Sequence, residues 1–125
     1  MRALLLLLLA LTTAGGCAHS SAQNGVASWY GPGLRGNQTA SGEPLRFHRR
    51  RAAHRTLPFG SVVKVTRVDN GKSVRVVIND RGPFVPGRII DLTKKPARRL
   101  GLLQDGHAKV QLQVVGCKKR YKRCS

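Results

Sequence analysis

Only five carboxylates stand against 23 Lys and Arg in this chain of 125 residues, so each acid can be weighed singly. Asp69 lies in Asp69-Asn70-Gly71, where turn chemistry accounts for it. Asp105 precedes Gly106 and reads as a second turn residue. Glu43, Asp80 and Asp91 remain. Asp80 closes the apolar run Val76-Val77-Ile78-Asn79 and is followed by Arg81 and the chain-breaking pair Gly82-Pro83. A carboxyl at the end of a strand is held by a rigid element and can be aimed at a ligand. Such a group can give a proton to a leaving oxygen and take one back from a nucleophile. An Asx-type turn, ion-paired to Arg81 or Arg88, is the plain alternative. A guanidinium in direct contact favours the ionised carboxylate and makes a poor proton donor. The chemical reading therefore needs Arg81 to point away, or burial to offset it.

His54 follows two alanines and precedes Arg55-Thr56-Leu57-Pro58. A neutral imidazole there could relay a proton or orient a ligand, and a charged one could stabilise a carboxylate. A buried histidine bonded to a carbonyl is the competing reading. His19, His48 and His107 read as surface residues. Glu43, in Ser41-Gly42-Glu43-Pro44, is either a ligand-contacting acid or a solvated loop acid. Asp91 is either a site residue or the cap of a helix beginning near Thr93. No cluster of metal ligands is visible, and neither a metal nor a cofactor is expected.

These residues need short strands to position them. Val26 to Tyr30 reads as a strand stopped by Gly31-Pro32-Gly33. Val62 to Val68, a turn at Asp69-Asn70-Gly71-Lys72 and Val74 to Ile78 read as a hairpin. Arg88 to Leu92 is a further strand, Thr93 an N-cap, and Pro96 to Leu100 a short helix closed by Gly101. Ala108 to Val115 alternates as a final half-buried strand. Residues 46–55 suggest a helical turn. The basic run CKKRYKRCS is expected not to pack.

The start, MRALLLLLLALTTAGGC, reads as an export leader too short to span a bilayer comfortably. Two cleavages are open: before Cys17, leaving a thiol for lipidation, or after Ala22. The resulting layout is a leader over 1–16 (or to 22), a tether over 17–24, one domain over 25–116 and a basic tail over 117–125. The cysteines are Cys17, Cys117 and Cys124. With Cys17 lipidated, Cys117 and Cys124 can pair in an oxidising compartment; two free tail thiols are the alternative. The net charge of +18 falls by one when Arg2 leaves with the leader. Such a surface attracts anions, and export argues against nucleic acid as the partner.

Taken together, SWYG at 28–31, TASGE at 39–43, AAHRTLPFG at 52–60, NDRGPF at 79–84 and GRIIDL at 87–92 resemble the catalytic domain of the rare lipoprotein A (RlpA) family. The blocks fall in family order across the whole domain. The resemblance implies a mainly β fold: a small six-stranded double-psi β-barrel with one or two short helices, shared with expansins. It implies a lytic transglycosylase of the bacterial cell envelope, acting on peptidoglycan as a periplasmic monomer without a cofactor. Such enzymes cut the β-1,4 bond between N-acetylmuramic acid and N-acetylglucosamine, leave a 1,6-anhydro end and favour peptide-poor strands. It assigns Asp80, His54 and Glu43 to catalysis, and Asp91 and Arg81 to the substrate groove. Trp29 and Tyr30 would offer aromatic faces to pyranose rings. Alternation along the strand sends one inward and one outward, and Tyr30 is expected to face the groove.

The segment Leu45-Arg46-Phe47-His48-Arg49-Arg50-Arg51 departs from the family pattern and makes one rim unusually basic. No repeat domain that binds peptidoglycan follows within these residues, so targeting by one is not expected. Two other classes remain open: a non-catalytic expansin-like glycan binder, and a basic protein whose binding follows its Arg and Lys content.

Overall fold

The computed structural model describes residues 22–121. Six strands close into a barrel: β1 (Gln23–Trp29), β2 (Arg51–Ala53), β3 (Ser61–Arg67), β4 (Ser73–Asp80), β5 (Arg88–Leu92) and β6 (His107–Cys117). Around the barrel they run β1-β5-β2-β4-β3-β6. The β1–β5 and β2–β4 pairs are parallel, and the other four are antiparallel. Two short helices, α1 (Lys94–Arg99) and α2 (Leu102–Asp105), link β5 to β6.

Period-2 alternation fills the interior. Val63 and Val65 of β3 and Val76 and Ile78 of β4 are wholly buried, as are Ile90 and Leu92 of β5. Leu100 and Leu102, around the α1–α2 corner, join the same cluster. Each such side chain contributes about 1.5–3 kcal/mol by leaving water. Val74, Val76 and Ile78 set the inward phase of β4, and Asp80 continues that phase at the strand's end. The parallel β2–β4 register slips between Ala52 and Ala53, so Ala53 lies opposite Asp80. His54 N–H then bonds the Asp80 carbonyl at 3.1 Å. Chain topology thus brings together two residues far apart in sequence.

Several expectations change. β1 begins at Gln23, inside the segment read as a tether, and β6 runs on to Cys117. Residues 51–53 form a strand, not a helical turn, because the β4 and β5 edges on either side capture three residues of weak propensity. Thr93 precedes α1 without a side-chain cap bond. Its hydroxyl accepts from Arg51 N–H at 3.1 Å and donates to the Arg49 carbonyl at 2.5 Å, stitching β2 to the helix. The tail packs as far as it is described: Arg120 and Tyr121 reach back to Glu43. Cys117 is disulfide-bonded. The leader, Cys17 and Cys124 lie outside the described residues.

Candidate active site

Asp80 sits half-buried at the mouth of the barrel, and three donors converge on its carboxyl. Tyr30 Oη donates to Oδ2 at 2.7 Å. The Ala40 and Arg81 backbone N–H groups donate to Oδ1 at 2.8 and 2.9 Å. Tyr30 follows directly on β1, and Ala40 belongs to the loop over residues 38–44, which docks on the end of β4 through Ser41 N–H on the Asn79 carbonyl at 3.1 Å. The Arg81 guanidinium turns the other way. It donates to the Leu57 and His54 carbonyls at 2.8 and 3.3 Å and lies 4.0 Å over the Phe59 ring. In that position Arg81 braces the loop after β2, where a groove contact was expected.

Tyr30 is 9% exposed and packs with Leu45 and Ala53. Its ring is therefore an internal wall, and only the hydroxyl reaches the site, in place of the expected exposed sugar platform. Burial raises its pKa far above the ordinary tyrosine range, and the bond to Asp80 and the charges of Asp80 and Asp91 raise it further. The hydroxyl keeps its proton and remains a donor. Trp29 is half-buried and leans on the main core.

His54 is buried, and both ring nitrogens are engaged. Nδ1 accepts from the Thr56 and Leu57 N–H groups at 3.2 and 3.1 Å, which places the proton on Nε2. Nε2 donates to Gln23 Oε1 at 2.7 Å. Burial lowers its pKa below the usual 6.5, and the charges of Arg81 and Arg55 lower it further. The imidazole is thus neutral and oriented, and a charged His54 beside the Asp80 carboxylate is not what the fold builds.

Glu43 lies at the end of the same docking loop, but its carboxylate is engaged by the tail: Arg120 Nη2 donates at 2.7 Å and Tyr121 Oη donates to the other oxygen. Successive strand residues face opposite ways. Asn79 accordingly lines a cavity of about 200 Å³ with Glu43, Arg46, Arg49, Arg51 and Arg120, while Asp80 meets Tyr30. Asn79 Oδ1 is buried there without a partner. Among the described residues no hydrogen bond or ion pair joins Glu43 to Asp80. Asp91 does not cap α1. From β5 its Oδ1 accepts from Ser28 Oγ and, at 2.5 Å, from Arg88 Nη2.

The fold therefore gathers Asp80, Tyr30 and His54 around the ends of β1, β2 and β4, with Asp91 near Tyr30, and sets Glu43 in the cavity that Asn79 lines. Residue patterns alone did not reveal Ala40, Gln23, Arg120 or Tyr121. The first acts through its backbone, and the others through contacts between the two ends of the domain and its centre.

A family profile described as "Lytic transglycolase" matches residues 22–112. The chain is 47% identical over 93 residues to the endolytic peptidoglycan transglycosylase RlpA of Campylobacter jejuni, covering 74% of this chain and 34% of that protein. It is 50% identical over 93 residues to the Vibrio cholerae protein of the same name, covering 74% of this chain and 35% of that protein. The chain thus spans about a third of the length of these curated relatives. Among solved structures, a Streptomyces papain inhibitor superposes with a TM-score of 0.63 at 21% identity, covering 79% of this chain and 98% of that one. A Clavibacter michiganensis expansin superposes with a TM-score of 0.60 at 24% identity, covering 77% and 51%. These likenesses describe the barrel, and the sequence matches place it: the chain belongs to the lytic transglycolase family, as an RlpA-like double-psi β-barrel.

Proposed function

We propose that this protein is a lytic transglycosylase of the bacterial cell envelope, acting on peptidoglycan with Asp80 as its proton-transfer group. The observation that carries the reading is the Asp80 carboxyl at the barrel mouth, held by Tyr30 and two backbone N–H groups while the neighbouring guanidinium is spent elsewhere. Protonated Asp80 gives its proton to the glycosidic oxygen of the leaving N-acetylglucosamine as the C1–O bond breaks. The 6-hydroxyl of the muramic residue then attacks its own C1, and its proton returns to Asp80. No water is consumed and a 1,6-anhydro end remains. One carboxyl suffices because it is an acid in the first half and a base in the second, whereas hydrolytic glycosidases use two. Tyr30 steadies the charge that Asp80 bears between the halves, and neutral His54 fixes the loop from Thr56 to Leu57. Trp29 and Asp91 belong to the groove rim. The preferred strands carry few stem peptides.

Export, lipidation of Cys17 and pairing of Cys117 with Cys124 complete the proposal, with the protein acting as a periplasmic monomer anchored by its lipid. Intact mass of the purified mature protein reads lipid and disulfide together. The activity test is digestion of purified sacculi, with and without prior amidase treatment, followed by mass analysis of the muropeptides. Anhydro ends, more abundant after amidase, are expected. A second reading, a glycan-binding barrel without chemistry, is favoured by the engagement of Glu43 by Arg120 and Tyr121. Sedimentation with sacculi and no anhydro ends from the wild type would select it.

A further inference from the structure

A cavity of about 560 Å³ lies on the outer wall of the barrel and shares no residue with the site at Asp80. Arg50, Lys64, Arg75, Lys95, Arg98 and Arg99 line it, and no acid does. Lys64 and Arg75 are direct partners across the β3–β4 ladder. Like charges placed opposite each other in a sheet cost stability. Nothing within the described chain offsets that cost. The acids are engaged elsewhere: Asp69 and Asp105 on Arg67, Asp91 on Arg88, Glu43 on Arg120, and Asp80 on Tyr30. The helix dipole accounts for Arg98 and Arg99 in the last turn of α1. It does not account for Lys64 of β3, Arg75 of β4 or Arg50, the residue before β2.

Two further cavities extend the first. One of about 440 Å³ shares Arg50 and Arg75 and adds Arg51. Another of about 310 Å³ shares Lys95 and Arg98 and adds Arg35 and Lys94. The result is a concave cationic track. A flexible linear polyanion can follow such a track, and guanidinium forks match carboxylates in two-point contact.

We propose that this track is an exosite that holds a carboxylate-bearing wall polymer by its anionic groups, away from the chemistry at Asp80. The proposal rests on the glycan reading above. It is tested by co-sedimentation with purified sacculi at about 0.1 M salt. The proteins compared are the wild type, the triple variant Arg50→Gln/Arg75→Gln/Arg98→Gln, and the control Lys72→Gln/Lys109→Gln/Lys119→Gln, which loses the same charge elsewhere. The track variant should lose roughly tenfold in apparent affinity while the control stays within about twofold. Arg75→Gln alone should melt at or above the wild-type temperature, since it removes a repulsion, and circular dichroism of both triple variants confirms that they fold. Equal losses in both triples, or preference for anionic phospholipid vesicles over sacculi, would overturn the exosite. Release of anhydro ends from short soluble glycan separates the two claims. If the wild type binds through the track but releases none, the activity reading fails and the exosite stands. If the wild type releases them and the track variant binds sacculi equally well, the exosite fails.

Discussion

At the scale of single residues, the site depends on which groups face the Asp80 carboxyl. Tyr30→Phe removes one donor at 2.7 Å and leaves the ring packing intact. A hydrogen bond to a charged group is worth about 1.5–3 kcal/mol, so kcat should fall roughly ten- to hundredfold with KM little changed, read from initial rates of anhydro-end release. His54 makes a pH prediction. Its folded pKa lies below the unfolded 6.5, so the unfolded chain binds the extra proton first. The stability due to the neutral ring is complete above that value and is lost as pH falls through the lower folded value. Melting temperatures measured from pH 7.5 down to pH 5, roughly one to two units either side of the unfolded value, should fall more steeply for wild type than for His54→Asn. Parallel slopes would contradict the assignment. Asp80 was legible as a candidate because it ends a β-forming run, and His54 because the block AAHRTLPFG carries it. The part played by Tyr30 was not, since its partner lies 50 residues away and alternation does not decide which of Trp29 and Tyr30 turns inward.

At the scale of elements, the hairpin of β3 and β4 was legible because its valines alternate and Asn70-Gly71 marks its turn. The strand at Arg51–Ala53 was not, because nothing in Arg-Ala-Ala favours a strand apart from the two edges that receive it. The tail misled for a similar reason: its charge suggested solvent, but Glu43 supplies the acceptor that orders Arg120 and Tyr121. Packing within β1 offers a sharper test. A Cβ on Gly25 would meet the Ile89 side chain at 2.6 Å. Gly25→Ala should cost about 1–3 kcal/mol through overpacking, and Ile89→Ala should relieve part of that cost in the double variant. Urea unfolding of the four proteins of the cycle measures it; additive losses would contradict the contact.

At the scale of the whole molecule, charge dominates. A net +18 with few ion pairs implies self-repulsion, which salt screens. The melting temperature should therefore rise between about 0.01 M and about 0.15 M sodium chloride; a fall would mean that the ion pairs around Arg67 outweigh the repulsion. The closed barrel was legible as a class from its short valine-rich strands and its family blocks, whereas the order β1-β5-β2-β4-β3-β6, which sets β2 beside β4 and so His54 beside Asp80, is a property of the closed sheet. The chemistry proposed for that junction has one most direct test: digestion of amidase-treated sacculi by the wild type and by Asp80→Asn, with circular dichroism confirming that both fold. The account predicts 1,6-anhydro ends from the wild type and at least a thousandfold fewer, roughly the full general acid–base contribution, from Asp80→Asn. Wild-type levels of anhydro ends from a folded Asp80→Asn protein would contradict it.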